Sequence, residues 1–146
     1  MDGDEGAGVG AIRAWLRLNA ALAEFDRRLR AEFGVTGGQL AILRIIGEGE
    51  TTLARLRAQL VMHPATLGQL IDRVAKLGFV VLDPSPEDRR SRRLRLTEQG
   101  RSLVRDAPLA GPVRLRATVE VDRARRLAVA LEDAVELFGL DEWALS

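Results

Sequence analysis

Arg89, Arg90, Arg92, Arg93 and Arg95 stand close together with no acid among them. A guanidinium carries five donors in a rigid fork, and such a cluster suits the oxygens of a polyanion. The formal net charge is only +1, so any attraction comes from distribution rather than total. Lys76 is the only lysine; arginine is therefore the chain's general cation, and position carries more weight than frequency. A second set lies upstream. His63, Pro64, Ala65, Thr66, Gln69 and Arg73 fall at the start of a helix-patterned segment. An amide such as Gln69 can meet adenine with two hydrogen bonds, and His63 and Thr66 can donate or accept. Arg73, one turn on, suits a phosphate.

Other chemistries find little here. There is no cysteine, which removes disulfides, thiolate nucleophiles and thiol redox sensing. One histidine without cysteine falls short of the three or four ligands a zinc site takes. No phosphate-binding glycine loop and no nucleophile–base spacing is present. The expectation is a protein that is not an enzyme and takes no metal and no cofactor. The start, Met1 to Gly10, is acidic and glycine-rich rather than basic and apolar, unlike a signal peptide. No stretch approaches the roughly 18 apolar residues of a membrane span. A cytoplasmic protein without membrane contact is expected.

Helices must position these residues. Ile12, Trp15, Leu16, Leu22, Phe25, Leu29 and Phe33 form a stripe at helical spacing that Gly34 ends. Thr36-Gly37-Gly38-Gln39 fits a capping box, with Leu40, Leu43 and Ile46 inward. Thr52 caps a short helix, Leu53 to Leu60. After Val61-Met62-His63, Pro64 suits the first turn of a helix to Leu77, with Leu67, Leu70, Ile71, Val74 and Leu77 inward and Gly78 as its stop. Two short helices joined this closely make a helix-turn-helix signal. Phe79 to Leu82 reads as a strand, Asp83 to Asp88 as a turn, and Arg93 to Leu96 as a strand with leucines inward. Thr97 caps the next helix. Pro108, Gly111 and Pro112 break it; Val113 to Arg116 alternates and reads as extended. A last helix from about Asp122, expected with Leu127, Leu131, Val135 and Phe138 inward, stops at Gly139.

At Thr52 to Gly100 the sequence resembles the winged-helix core of MarR-type transcriptional regulators. The strongest match is Asp88-Arg89-Arg90-Ser91-Arg92-Arg93-Leu94-Arg95-Leu96-Thr97-Glu98-Gln99-Gly100. It is similar to the family's pattern of Asp, any residue, Arg, then a leucine-rich strand ending in Leu-Thr and a glycine. Leu70 to Val80 resembles the end of the family's recognition helix. The resemblance extends in helix order over nearly the whole chain.

The resemblance implies a mainly α fold with a small β-hairpin wing. Residues 36–100 would be the winged helix-turn-helix core, 11–33 and 101–146 dimerisation helices within one domain spanning 11–146, and 1–10 a disordered tail. It implies a cytoplasmic homodimer, paired through residues such as Trp15, Leu22, Leu131, Val135 and Phe138. The partner would be double-stranded DNA at a near-palindromic operator, and the effect repression. Arg90 would enter the minor groove, Asp88 would brace the hairpin, and Arg89, Arg92, Arg93 and Arg95 would meet phosphate. Family precedent leaves room for a small aromatic or apolar effector between the base and the winged module, near Trp15, Leu18, Leu22 and the helix from Thr36. It names no effector and no ligand residue. The chain departs from the family at the recognition helix, where Pro64, Ala65 and Gly68 leave few side chains for base readout. That departure keeps an alternative open: a winged-helix dimer serving as a protein-interaction or low-specificity DNA-binding module.

Overall fold

The computed structural model describes residues 2–60, 64–84 and 92–143. Its order is α1 (Asp2–Phe33), α2 (Gly37–Gly47), β1 (Thr51–Thr52), α3 (Leu53–Leu60), α4 (Pro64–Lys76), β2 (Val80–Pro84), β3 (Arg92–Leu96), α5 (Glu98–Asp106), a 3₁₀ helix (Pro112–Ala117) and α6 (Val121–Leu137). The strands form one antiparallel sheet in the order β1-β3-β2.

The helix ends follow local chemistry. Thr36 Oγ1 accepts from the Gln39 N–H at 3.1 Å, and Gln39 Oε1 accepts from the Thr36 N–H at 3.0 Å. Two otherwise orphaned donors of α2 are thereby paired. Asp26, reaching from α1, accepts from the Gly37 N–H at 2.7 Å. The Thr52 hydroxyl accepts from the Arg55 N–H at 3.2 Å, opening α3 as its spacing predicts. Gly78 ends α4 with φ at 87°, a value that glycine adopts at little cost. On the exposed side of α1, Glu24 accepts from both Arg27 and Arg28. Those hydrogen bonds, Arg27 first, hold its carboxyl down at about 2.

The core lies between Leu29 and Ala107. Leu40, Leu43, Leu56, Leu67, Ile71, Val74 and Leu94 are almost fully enclosed. α2 is its centre: Ile42 and Ile45 are buried beside Leu40, Leu43 and Ile46. A helix apolar nearly all round must be surrounded, and α2 is flanked by α4, α5 and β3.

Several expectations are corrected. The helix expected from residue 11 begins at Asp2, so the segment expected as a disordered tail is helical. A Cβ added at Gly6, Gly8 or Gly10 would meet open space, and residues 6–22 of this helix are exposed. Asp83 and Pro84 continue β2 rather than opening the turn. β1 was not anticipated: Thr51 and Thr52 pair with Leu94 and Arg93. Val113 to Arg116 lies in the 3₁₀ helix, not an extended strand. Pro112 sits in its first turn, where a fixed φ near −65° favours helical geometry. Leu77 is exposed rather than inward, because α4 ends at Lys76 and Leu77 falls in the turn.

The stripe on α1 is split. Leu29 is buried and Phe25 and Phe33 are half-buried, but Ile12, Trp15, Leu16 and Leu22 are exposed. Beyond Ala107 no described residue is buried. Among the described residues, all but one of the exposed large apolar side chains lie on α1 or beyond residue 108; the exception is Leu77.

Candidate nucleic-acid interface

α3 and α4 follow one another in the order of a helix-turn-helix, and α4 has two contrasting faces. Leu67, Ile71 and Val74 press into the core. Thr66, Gln69, Arg73 and Lys76, at i, i+3, i+7 and i+10, form an exposed polar stripe on the other side. Together with Asp72, Leu70 and Gln39 they line a shallow cleft. Ala65 is exposed at the helix start. The sequence reading omitted Lys76; its spacing of three from Arg73 is the signal that adds it. His63 lies outside the described residues, as does the side chain of Pro64.

Gly68 sits in α4 with open space where a Cβ would stand. Nothing inside the chain requires glycine there. Gly68→Ala is expected to stabilise the free protein by about 1 kcal/mol through helix propensity. A thermal melt checks this, and a lower melting temperature would contradict it. If DNA affinity falls in that same variant, the glycine serves close backbone approach.

β2 and β3 form the wing, with Val80 opposite Leu96 and Leu82 opposite Leu94. The tip, with Asp88, Arg89 and Arg90, lies outside the described residues. On the stem, Leu94 and Leu96 are buried and Arg92 and Arg95 are exposed. Arg95 Nε donates to Asp83 Oδ2 at 3.1 Å across the hairpin, and Arg93 lies 3.8 Å from Glu50. These acids partly compensate two cations that the sequence offered to phosphate. Arg73, Lys76 and Arg92 form no ion pair among the described residues. Among the described residues these are the unpaired cations of α4 and the wing stem, with the Asp72 carboxylate in the same cleft as Arg73 and Lys76.

The Leu-Thr…Gly ending of the wing has a geometric basis. Thr97 Oγ1 donates to the Gly78 carbonyl at 2.7 Å and accepts from the Gly100 N–H at 3.0 Å. The Thr97 N–H donates to the Phe79 carbonyl at 3.0 Å. One residue thus ties the end of α4 to the end of β3 and opens α5, fixing the wing beside the recognition helix.

At the other end of the molecule Trp15 and Phe138 meet edge to face, with ring centroids 6.0 Å apart. Trp15, Leu22, Leu131 and Phe138 are exposed and Val135 is half-buried. Leu18, Leu22, Leu109, Leu115, Leu127 and Leu131 line an open, mainly apolar groove of about 940 Å³. Neither Trp15 nor α2 lines it, unlike the effector pocket that the resemblance implies. Among the described residues no cluster could hold a metal ion, and no helix is long and apolar enough to cross a membrane.

A helix-turn-helix followed by a hairpin packed beside its second helix defines the winged helix-turn-helix class. The MarR family model matches residues 33–91. Over that span the chain resembles the MarR family, and its fold as a whole is similar to that of solved MarR-type structures. Reduced AbfR bound to DNA is 19% identical with a TM-score of 0.65, covering 93% of this chain and 99% of that one. MarR is 25% identical with a TM-score of 0.56, over 84% and 88% of the two chains. The transcriptional regulator BldR from Sulfolobus solfataricus is 17% identical with a TM-score of 0.61, over 91% and 98%. No curated protein matches the sequence significantly.

Proposed function

We propose that the chain is a homodimeric, sequence-specific repressor that binds double-stranded DNA at a near-palindromic operator. The observation that carries this is the polar stripe of α4, Thr66, Gln69, Arg73 and Lys76, held outward by a fully buried opposite face. A helix presented this way fits the major groove, where its N-terminal residues meet base edges. Gln69 reads adenine, and Arg73 and Lys76 bind phosphate. His63, Pro64, Ala65 and Thr66 complete the reading end. Arg89, Arg90 and Arg92 of the wing, with Asp88 as brace, approach the backbone and minor groove. Pairing through α1 and α6, by way of Trp15, Leu22, Leu131, Val135 and Phe138, places two such modules on a palindrome. Occupancy of the operator is the effect these two parts produce by themselves, and repression follows from it. The bare groove at the base is where a small apolar or aromatic effector would act.

The test is titration of the protein against its own upstream DNA and a random duplex across a salt series. Both affinities should fall steeply with salt as counterions are released, and upstream DNA should bind about a thousandfold tighter. Gln69→Ala should cost about 1–3 kcal/mol on the operator alone, while Arg73→Ala should weaken both duplexes alike. Equal binding of the two duplexes would favour a low-specificity module. Binding to neither would overturn the DNA reading and favour a protein partner.

A further inference from the structure

α6 has no buried residue, and the ring contact at its end, Phe138 on Trp15, is with α1 rather than with the winged-helix core. α6 joins that core through residues 107–120. This joint contains Gly111, at φ 89°, and a 3₁₀ helix with no buried residue. Of its residues only Ala107, at the start, is buried, so burial leaves the far end of the joint unset. Two arginines tie it to α2, one at each end: Arg44 reaches out from α2, and Arg116 reaches back to its C-cap. Arg44 Nη1 donates to the Val104 carbonyl at 3.1 Å. Its Nη2 donates to the carbonyls of Ala107 at 2.9 Å and Pro108 at 3.2 Å. Arg116, at the far end, donates from Nε to Glu48 Oε1 at 3.0 Å and from Nη2 to Glu48 Oε2 at 2.6 Å. That is a bidentate pair, whose geometry is more restrictive than a single contact.

Arg44 and Glu48 stand one helical turn apart, the second being the C-cap of α2. α2 also packs against α4. The path from joint to recognition helix is therefore two guanidinium clasps and one rigid, buried helix. Arg44 is not an economical stabiliser. Its Nε is buried with no acceptor, and an apolar side chain of similar length often serves stability as well as a buried charge. The Arg116–Glu48 pair is partly exposed, and such pairs contribute little to stability. What both do well is fix a direction.

We infer that Arg44 and the Arg116–Glu48 pair are positioning residues that set the angle between base and recognition helix, and so the half-site spacing the dimer accepts. This rests on the DNA-binding homodimer proposed above. Half-sites of a helix-turn-helix dimer lie about one duplex turn apart, so rotation at the joint changes which spacing both α4 helices can meet.

Two measurements test it. The chain lacks cysteine, so Lys76→Cys with Arg126→Cys gives one clean spin-label pair from α4 to α6. Labelled chains are diluted with unlabelled protein so that each dimer carries one pair. The distance distribution should be narrow in the parent and about twofold broader, or displaced, in Arg44→Met and in Arg116→Gln, as for a released hinge. Arg44→Lys should not restore it, because an ammonium cannot reproduce the fork. The charge-reversed pair Glu48→Arg with Arg116→Glu should. In the second measurement, unlabelled proteins bind duplexes whose footprinted upstream half-sites are moved apart one base pair at a time. The parent should prefer one spacing and the variants should lose that preference. Unchanged distances, or an unchanged spacing profile in a protein that merely melts lower, would overturn the inference. If the parent binds no duplex, the DNA reading fails and the label distances alone decide whether the clasps hold the joint.

Discussion

Leu131→Asp is expected to leave the protein monomeric, with its winged-helix core intact. Leu131 is 49% exposed and Leu22 39% exposed, and both line the apolar groove at the base. Leu18, Leu109, Leu115 and Leu127 line the same groove, and Ile12, Trp15, Leu16, Phe138 and Trp143 are also bare. Soluble monomers rarely leave so continuous an apolar surface uncovered. The expected cover is a second copy of the same surface, since closed two-fold pairing is the commonest solution. A carboxylate at the centre of such an interface is buried without a partner, on both subunits. The cost is on the order of 4 kcal/mol, or roughly a thousandfold in the dimer dissociation constant. Leu22→Asp should act alike. Neither residue belongs to the core between Leu29 and Ala107, so helix content should persist. Sedimentation equilibrium reads the mass. Operator affinity should fall by about 10²–10⁴-fold as bivalent engagement is lost. A variant that stays dimeric with unchanged operator affinity would show that this face is not the interface. A parent that is already monomeric would remove the palindrome from the proposed function.

How far this was visible in the sequence depended on whether a signal was local. The capping box at Thr36, the caps at Thr52 and Thr97, Pro64 at the head of α4 and Gly78 at its foot each act within a few residues, and each stands where its spacing places it. β1 has two residues and no periodicity; it exists because Thr51 and Thr52 find the free edge of β3, far along the chain. The ion pairs of Arg95 with Asp83 and of Arg93 with Glu50 depend on strand register. Sequence grouped these arginines by nearness along the chain, whereas neighbours across the sheet decide which stay uncompensated. The stripe from Ile12 to Phe33 was legible as apolar, but periodicity cannot say who covers it. Only the fold separates Leu29, under the core, from Trp15 and Leu22, which the core leaves bare. Arg44 carries no signal of its role in the sequence. Its three carbonyl partners lie about sixty residues away and carry no motif.

Gly100→Ala is expected to cost about 3 kcal/mol of stability, the upper end for overpacking a well-filled site. A Cβ at Gly100 would stand 2.2 Å from the Phe79 carbonyl oxygen and 3.1 Å from its carbon. Both are backbone atoms, so no rotamer change relieves the clash. Nor can Phe79 yield freely. Its carbonyl accepts from Thr97 N–H, its side chain is buried, and the next residue, Val80, pairs with Leu96. Moving α5 away instead would stretch the Gly100 N–H to Thr97 Oγ1 bond, and with it the tie from Thr97 to Gly78. The glycine is thus required for close approach, at the point where α4, the wing and α5 converge. In a chain of this size the loss corresponds to a fall in melting temperature on the order of 10 °C. Calorimetry of parent and variant at equal concentration checks it, since concentration shifts the melting of an associating protein. The same methyl group at Gly68 meets open space, so the two alanine variants should move stability in opposite directions. If Gly100→Ala melted with the parent, the Thr97 clamp would not be the rigid joint between recognition helix and wing described here.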